Sequence, residues 1–219
     1  MNLKVLDAGR MPYAQAWDLQ KRLAAERTDG RLEEDALILV EHDHVITLGR
    51  KTSPENFRAQ EIPVFQVERG GDATYHGPGQ LVGYPIIRLP TPNVQRFVRD
   101  LEEVLIRTTR SFGLESGRLE GHPGVWVGEK KVASIGVAVV NWVTLHGFAL
   151  NVSTDLSYFR LIKPCGLDPE TMTSMERSLG RGIGMGEVKE RVLNDFSEVF
   201  GAHVAPAGLS NPWVASLKT

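Results

Sequence analysis

Apolar positions recur along this chain at two different spacings, and the change from one spacing to the other predicts its elements. A helical spacing predicts one amphipathic helix that begins near Pro12 and another over 94–112, and a further helix is expected over 187–200. Short runs rich in Val, Ile and Leu predict strands over 3–6, 36–41, 45–48, 63–67, 81–89, 125–127, 131–140 and 143–152. The tail through Pro206, Gly208 and Pro212 is expected to be irregular.

The order of these elements predicts the fold class. Strands and helices do not alternate regularly, and three strands follow one another from 124 to 152 as a β-meander. This order favours an α+β fold with a mixed, mainly antiparallel central sheet flanked by helices. Apolar residues occupy both the even and the odd positions of 132–140, which predicts a central strand buried on both faces. A length of 219 residues suits one core, so we expect a single domain over 1–219.

Composition and charge exclude several classes of function. The net charge is -2 and the basic residues are scattered, so no binding of nucleic acid is expected. No apolar run reaches the roughly 18 residues of a membrane span, and the first ten residues lack the apolar core of a signal peptide. The only cysteine, Cys165, cannot form an internal disulfide, which indicates a reducing, cytoplasmic location.

Cys165 is the first candidate for chemistry. Pro164 and Gly166 flank it and argue against a regular helix or strand, which leaves the thiol on a loop. A nearby ammonium would raise its ionised fraction and make it a covalent acyl carrier. The commoner role of a free cysteine is that of a small buried hydrophobe, and this alternative stays open.

A second candidate is the loop 69–80, which contains four glycines. Glycines let backbone N–H groups approach a ligand, although ordinary turn glycines would explain any one pair. Arginine, threonine, tyrosine and histidine between the glycines favour a binding site.

Lys131 is a third candidate, because it opens an otherwise apolar strand. A desolvated lysine can accept a proton near neutral pH, whereas most strand lysines extend into solvent. Lys130 is adjacent, so the sequence leaves open which of the two faces inward.

Histidines supply two weaker candidates. His146 could act as a general base, although a hydrogen-bonded structural histidine is commoner, and Gly147 beside it suggests a bulge or the close approach of a ligand. His42 and His44 have a spacing known from metal ligands, but no second His or Cys cluster accompanies them. We therefore expect a solvated turn there and no metal site.

Four segments, in order, resemble the octanoyltransferase family of lipoate biosynthesis. They are RGGDATYHGPGQLVGYP, GVWVGEKKVASIG, WVTLHGFALNV and IKPCGL, and EHDHVITLGR and the helix over 13–20 match more loosely. The segments 91–121 and beyond 175 contribute little, and Ala73 stands where a bulkier residue is expected. This family is similar in fold to the catalytic domains of biotin and lipoate protein ligases.

The resemblance implies transfer of an octanoyl group from acyl carrier protein to a lysine of lipoyl domains, with no ATP and no other cofactor. The acceptors it implies are the lipoyl domains of 2-oxoacid dehydrogenase complexes and the glycine cleavage H protein. Cys165 would hold the octanoyl group as a thioester and Lys131 would tune its thiol. The acyl-binding residues that it implies are Arg69, Gly70, Gly71, Asp72, Ala73, Thr74, Tyr75, His76, Ser134, Ile135, Gly136, Gly147, Phe148 and Ala149.

Two details of this assignment remain open in the sequence. Strict strand alternation places Lys131 and Gly136 on opposite faces, so a bulge or backbone contacts are required to bring them together. Backbone N–H groups of Cys165 and Gly166 are the candidate donors to an oxyanion.

Three other functions compete with this one. The first is an ATP-dependent lipoate or biotin ligase, which has no need of Cys165 and whose Gly-Arg-Gly-Arg type of adenylate loop differs from the loop here. The second is a cysteine hydrolase with His76 or His146 as its base. The third is a non-catalytic module that binds acyl groups or lipoyl domains.

Overall fold

The computed structural model describes residues 1–53 and 62–205, apart from the side chains of Cys165, Val204 and Ala205. Its helices are α1 (Tyr13–Thr28), α2 (Val94–Ser111), α3 (Met175–Leu179) and α4 (Met185–Phe200). Its strands are β1 (Asn2–Arg10), β2 (Asp35–Glu41), β3 (Val45–Leu48), β4 (Val64–Gln66), β5 (Thr74–His76), β6 (Gln80–Ile86), β7 (Ser116–Leu119), β8 (His122–Val127), β9 (Lys130–Val140), β10 (Val143–Asn151) and β11 (His203–Ala205). The predicted irregular tail from Pro206 onward lies outside the described residues.

The strands form two sheets. The larger has the order β11-β1-β2-β6-β10-β9-β8-β7, and the smaller has the order β4-β3-β5. In the larger sheet β1 runs parallel to β2 and β11, and the other neighbours are antiparallel. The predicted α+β class with a mixed, mainly antiparallel sheet is confirmed.

Helices cover both faces of the larger sheet. On one face, Phe97 and Leu101 of α2 and Val192 of α4 pack against β10 residues such as Leu150. On the other face, Leu19 of α1 packs against residues such as Tyr84 of β6. Among the described residues, no helix is both long enough and apolar enough to cross a membrane.

Local chemistry explains where the main elements begin and turn. The side chain of Asn93 accepts a hydrogen bond from the Arg96 N–H at 2.9 Å and so caps α2. A two-residue turn joins β9 to β10, and Asn141 and Trp142 both have positive φ there, of 51° and 62°. Two central residues with positive φ match the right-handed twist of a tight hairpin.

The structure contains three short strands and one short α-helix that the hydrophobic pattern did not predict, namely β5, β7, β11 and α3. Each has only three to five residues, too few to display a period. The strand predicted over 81–89 ends at Ile86, and β9 begins one residue before the predicted Lys131. Residues 134–137 of β9 are only half-buried, so the expectation that this strand is buried along both faces is wrong for its middle.

Candidate active site

The glycine loop after β4 docks against β9 at a point that β8 does not cover. β8 pairs with β9 only as far as Ala133, which leaves the edge of β9 beyond it open to another segment. The N–H of Gly70 donates to the Val137 carbonyl at 3.0 Å along this edge. The loop therefore extends the surface of the sheet at this position.

Arg69 is a buried brace for the loop. Its guanidinium donates to the Thr47 carbonyl at 2.8 Å and to the Asp72 carbonyl at 2.7 Å. It also donates to the Thr47 hydroxyl at 2.9 Å, and the residue is only 7% exposed. Because its guanidinium binds one backbone oxygen in the loop, at Asp72, and one in β3, at Thr47, Arg69 fixes the loop against the smaller sheet.

Two facing glycines allow close approach of backbone segments. Gly136 of β9 lies opposite Gly147 of β10. A Cβ atom at Gly147 would lie 2.2 Å from the Gly83 carbonyl oxygen, and one at Gly136 would lie 3.0 Å from Cδ of Arg69. No larger residue fits at Gly147 without displacing backbone. The segment that approaches Gly147 is the Gly83 backbone, whereas the sequence suggested a ligand or a bulge.

A cleft lies above these glycines on the α1 side of the sheet. Among the predicted site residues, those that line it are Arg69, Gly70, Gly71, Thr74, His76, Ser134, Ile135, Gly136, Gly147, Phe148 and Ala149. Four residues that the sequence analysis did not assign to acyl binding also line it, and they are Tyr13, Val82, Tyr84 and His146. The predicted segments, distant in sequence, thus meet at one place.

Three predicted residues are placed beside the cleft. Tyr75 and Ala73 pack into a separate apolar cluster, and the Tyr75 hydroxyl lies 2.7 Å from Nδ1 of His44. A carboxylate oxygen of Asp72 accepts from the Ala73 N–H at 2.7 Å. These contacts support the loop, and a direct role of the three residues in acyl binding stays a prediction.

His76 begins a buried chain of hydrogen bonds. Its Nδ1 donates to Oε1 of Gln80 at 2.7 Å, and Nε2 of Gln80 donates to Oδ1 of Asn151 at 2.9 Å. Nδ2 of Asn151 donates to the Thr173 carbonyl at 2.9 Å, and the Thr173 N–H donates to the Lys131 carbonyl at 2.9 Å. This series of hydrogen bonds therefore connects the cleft to the backbone of Lys131.

Burial and the neighbouring His42 lower the pKa of His76 from 6.5 to about 3. The imidazole is therefore neutral at physiological pH, and it is a weak base.

A β-bulge determines which lysine faces inward. Trp126 pairs with Lys131 while Val125 pairs with Ala133, so one extra residue, Val132, is inserted in β9. Val132 and Ala133 consequently both pack into the core beneath α2 and α4. Because Lys131 adjoins Val132, alternation places it on the opposite side, which Ser134 and Gly136 of the cleft also face. The bulge therefore removes the conflict expected from strict alternation.

Lys131 is almost fully buried, with 3% exposure, and its Nζ lies 5.5 Å from the centre of the Trp126 ring. Lys130 is exposed, and its Nζ donates to the Glu170 carbonyl at 2.8 Å. The choice that the sequence left open is thus settled by the fold in favour of Lys131 as the inward-facing residue.

Cys165 belongs to a 3₁₀ turn, Pro164–Gly166, that contacts β5. Its side chain lies outside the described part of the structure. Flanking residues fix the turn, because Ile162 is buried beside Tyr75 and Met172 forms a parallel bridge with Lys131. The Gly166 N–H donates to the Lys163 carbonyl at 3.2 Å, so this predicted oxyanion donor already has a partner.

The two histidines considered as metal ligands bind different groups. His42 hydrogen-bonds the Met11 carbonyl and the Tyr84 hydroxyl, both at 2.8 Å, and His44 stacks on Tyr158. Within 1–53 and 62–205, no three His, Cys, Asp or Glu side chains are grouped in a way that could hold a metal ion.

A sequence model of the lipoyl protein ligase A/B catalytic domain matches residues 12–197, a range that contains every residue of the cleft. The chain belongs to this family. Similar relatives include a probable octanoyltransferase of Pyrobaculum calidifontis, which is 52% identical over 202 residues that cover 92% of this chain and 87% of the relative. An octanoyltransferase of Rubrobacter xylanophilus is 47% identical over 202 residues, which cover 88% of this chain and 91% of the relative.

The same fold is found among solved structures. A lipoate-protein ligase A bound with ATP superposes with a TM-score of 0.80 at 20% identity, covering 99% of this chain and 92% of the ligase. At this identity the likeness concerns the fold, and it confirms the expected similarity to lipoate ligase catalytic domains.

Proposed function

We propose that this chain transfers an octanoyl group from an acyl carrier protein to a lysine of a lipoyl domain through a thioester on Cys165. The relatives named octanoyltransferase, which match about nine-tenths of the chain, are the single observation that carries the proposal. The cleft supports it, because four of the residues that line it on β9 and β10 are small, namely Ser134, Gly136, Gly147 and Ala149. Small lining residues leave room for a hydrocarbon chain.

In the first step, the Cys165 thiolate attacks the carbonyl carbon of the acyl thioester. A carbon–sulfur bond forms to Cys165, the bond to the carrier's sulfur breaks, and the carrier leaves as a thiolate that takes up a proton. Lys131, if protonated, stabilises the Cys165 thiolate before the attack. The two groups then titrate as a coupled pair.

In the second step, the lysine amine of the acceptor attacks the acyl-enzyme. The amide bond forms as the carbon–sulfur bond to Cys165 breaks, and neutral Lys131 accepts the proton that the amine loses. One thioester is exchanged for another and the final amide is more stable, so the reaction needs no ATP.

The fourteen loop and strand residues implied by the resemblance would hold the acyl chain. Arg69 would act by fixing the loop, since its guanidinium is engaged with backbone oxygens. Gly136 and Gly147 would act by their lack of a side chain. Lipoyl domains of 2-oxoacid dehydrogenase complexes and the glycine cleavage H protein would be the acceptors, in the reducing cytoplasm that suits a free thiol.

The hydrolase alternative is disfavoured by the two histidines that it needs. His76, with a pKa of about 3, is a weak base whose Nδ1 is already bonded to Gln80. Nε2 of His146 lies 3.3 Å from a carboxylate oxygen of Glu68. The low pKa of His76 makes it a poor general base, and Nε2 of His146 lies beside a carboxylate that is buried away from solvent only in part.

Transfer without ATP tests the proposal. The protein would be incubated with octanoylated carrier protein and a lipoyl domain, and the mass of the lipoyl domain recorded with and without ATP. We expect gain of one octanoyl group without ATP, and no gain with Cys165→Ala. A product that forms only from free octanoate and ATP would establish the ligase instead, and full transfer by Cys165→Ala would refute the nucleophile.

A further inference from the structure

His146 has a backbone conformation that is rare for a histidine within a strand. Its φ is +58°, although it lies in the middle of β10, Val143–Asn151. A non-glycine residue in this region is strained, and such strain is concentrated at functional sites. The fold retains this residue in a conformation that glycine would adopt more easily.

The positive φ turns the imidazole to the α1 side of the sheet. In β10, Leu145 and Ala149 face α1, whereas Phe148 and Leu150 face α2 and α4. Alternation would therefore direct His146 toward α2 and α4.

Instead the His146 ring lies edge-to-face with Tyr84, at 6.5 Å between ring centres, and is 3% exposed. The backbone N–H of His146 donates to Oε1 of Gln20 in α1 at 2.9 Å. The conformation thus places a buried ring in the wall of the cleft.

Tyr84 is held in place by a second histidine. Nδ1 of His42 lies 2.8 Å from the Met11 carbonyl oxygen, which can only accept, so Nδ1 carries the hydrogen. Nε2 of His42 is then the acceptor for the Tyr84 hydroxyl at 2.8 Å. His42 thus braces the Tyr84 ring from outside the cleft, and the His146 ring packs against Tyr84. We call these two rings the distal wall.

The sheet register gives the distance between this wall and the reactive end. Ser134 lies opposite Ala149, and Val137 lies opposite His146, three residues further along β9. At about 3.3 Å per residue the two rows are about 10 Å apart. Alternation from the bulge at Val132 places Lys131 before the first row and on the same side of the sheet. We therefore take the reactive carbonyl to lie at the Ser134 row.

An octanoyl group has a matching length. Its seven carbon–carbon bonds, of about 1.5 Å each in a zigzag, span about 9 Å. A longer chain would have to displace rings that are packed and braced.

We propose that Tyr84 and His146 are specificity-determining residues whose rings end the acyl cleft and limit the bound acyl group to about eight carbons. This inference rests on the proposed function, since it takes the acyl thioester to lie at the Lys131 end. This role explains the strained backbone of His146, because the positive φ places the imidazole ring in the lining of the cleft.

The test is His146→Gly, which removes the ring and relieves the strain. Glycine adopts positive φ freely, so this variant is expected to fold. Trp142→Gly is a matched control, because Trp142 also has positive φ, 62°, yet is 51% exposed on the hairpin turn. His146→Asn, which also tolerates this conformation, removes part of the ring's volume.

The measurement is the rate at which each variant is acylated by carrier protein loaded with hexanoyl, octanoyl, decanoyl or dodecanoyl groups. We expect His146→Gly to raise the ratio of dodecanoyl to octanoyl acylation by about tenfold or more, the effect of accommodating extra methylene groups. His146→Asn should give a smaller rise, and Trp142→Gly should keep the wild-type ratio.

The outcomes separate this inference from the proposed function. Suppose that the wild-type protein is acylated by octanoyl donors and that folded, active His146→Gly has the wild-type ratio of dodecanoyl to octanoyl acylation. This result would overturn the role of the distal wall and leave the proposed function intact. A wild-type protein that accepts no acyl group of any length would overturn both. An equal rise in Trp142→Gly would also overturn the inference, because it would show that a general loosening changes the preference.

Discussion

Acidification is predicted to destabilise this protein through two buried histidines. The rings of His42 and His76 lie 5.9 Å apart, and the Tyr13 ring lies 5.3 Å from the first and 6.1 Å from the second. Burial lowers the pKa of His42 from 6.5 to about 4, and burial together with the neighbouring His42 lowers that of His76 to about 3. Both side chains are therefore neutral in the folded protein at pH 5, whereas both are protonated in the unfolded chain.

The sign and size of the effect follow from proton linkage. Because the folded-state pKa values are depressed, the stability they contribute is complete above pH 6.5 and is lost as the pH falls toward 4 for His42 and 3 for His76. Between pH 7 and pH 5 each histidine should lower the free energy of unfolding by about 2 kcal/mol, and the pair by about 4 kcal/mol. This is a large part of the stability of an ordinary domain.

Urea unfolding at pH 7 and pH 5 measures this loss. His76→Asn removes one titrating ring, and its amide can still donate to Oε1 of Gln80 as Nδ1 does. We expect this variant to show about half of the wild-type pH effect, while His122→Asn, at an exposed position on β8, should show all of it. A wild-type change below about 1 kcal/mol, or a full change in His76→Asn, would refute the reasoning.

Two further substitutions test the site. In Gly147→Ala the new Cβ would lie 2.2 Å from the Gly83 oxygen and 2.6 Å from Cδ of Pro85, so we expect a loss of about 1–3 kcal/mol in urea unfolding. Gly117→Ala, where a Cβ meets nothing within 4 Å, is its control, and equal midpoints for the two would contradict the close approach. Lys131→Met keeps the buried length but removes the amine, so we expect transfer to fall by about tenfold or more and iodoacetamide to react with Cys165 only at higher pH. Lys130→Met should behave as wild type, and an unchanged reactivity profile in folded Lys131→Met would exclude Lys131 from the mechanism.

The longer elements were predictable because their hydrophobic period extends over many residues. The second helix was expected over 94–112 and is found as Val94–Ser111, and the strand over 45–48 is found as Val45–Leu48. The segment 69–80 was expected to be a loop, but it contains β5, whose three residues pair with β3. That pairing depends on a distant strand, which a local pattern does not reveal.

The residues that line the cleft could be predicted to lie together where they belong to contiguous motifs. Most of the residues predicted in the glycine loop, 134–136 and 147–149 line one cleft, and their role in acyl binding stays a prediction. The inward position of Lys131 was not decidable, because the single residue inserted at Val132 reverses the alternation. The bulge depends on pairing with β8, which the spacing of apolar residues does not encode.

Four cleft residues were missed because tertiary packing places them there. Tyr13 reaches the cleft from α1, and Tyr84 reaches it from β6 with His42 behind it. The sequence did carry a signal, since Tyr84 follows Gly83 within the first resembling segment and His42 lies in the looser match. His146 was noted as a possible base, but nothing local predicts its positive φ.

The central claim is that the sulfur of Cys165 carries the acyl group. Its most direct test is the intact mass of the protein after incubation with octanoylated carrier protein in the absence of ATP and acceptor, followed by peptide mapping. The account predicts a gain of one octanoyl group on the peptide that contains Cys165, removable by hydroxylamine as a thioester is. No gain in mass, or an octanoyl group attached to any other residue, would contradict it.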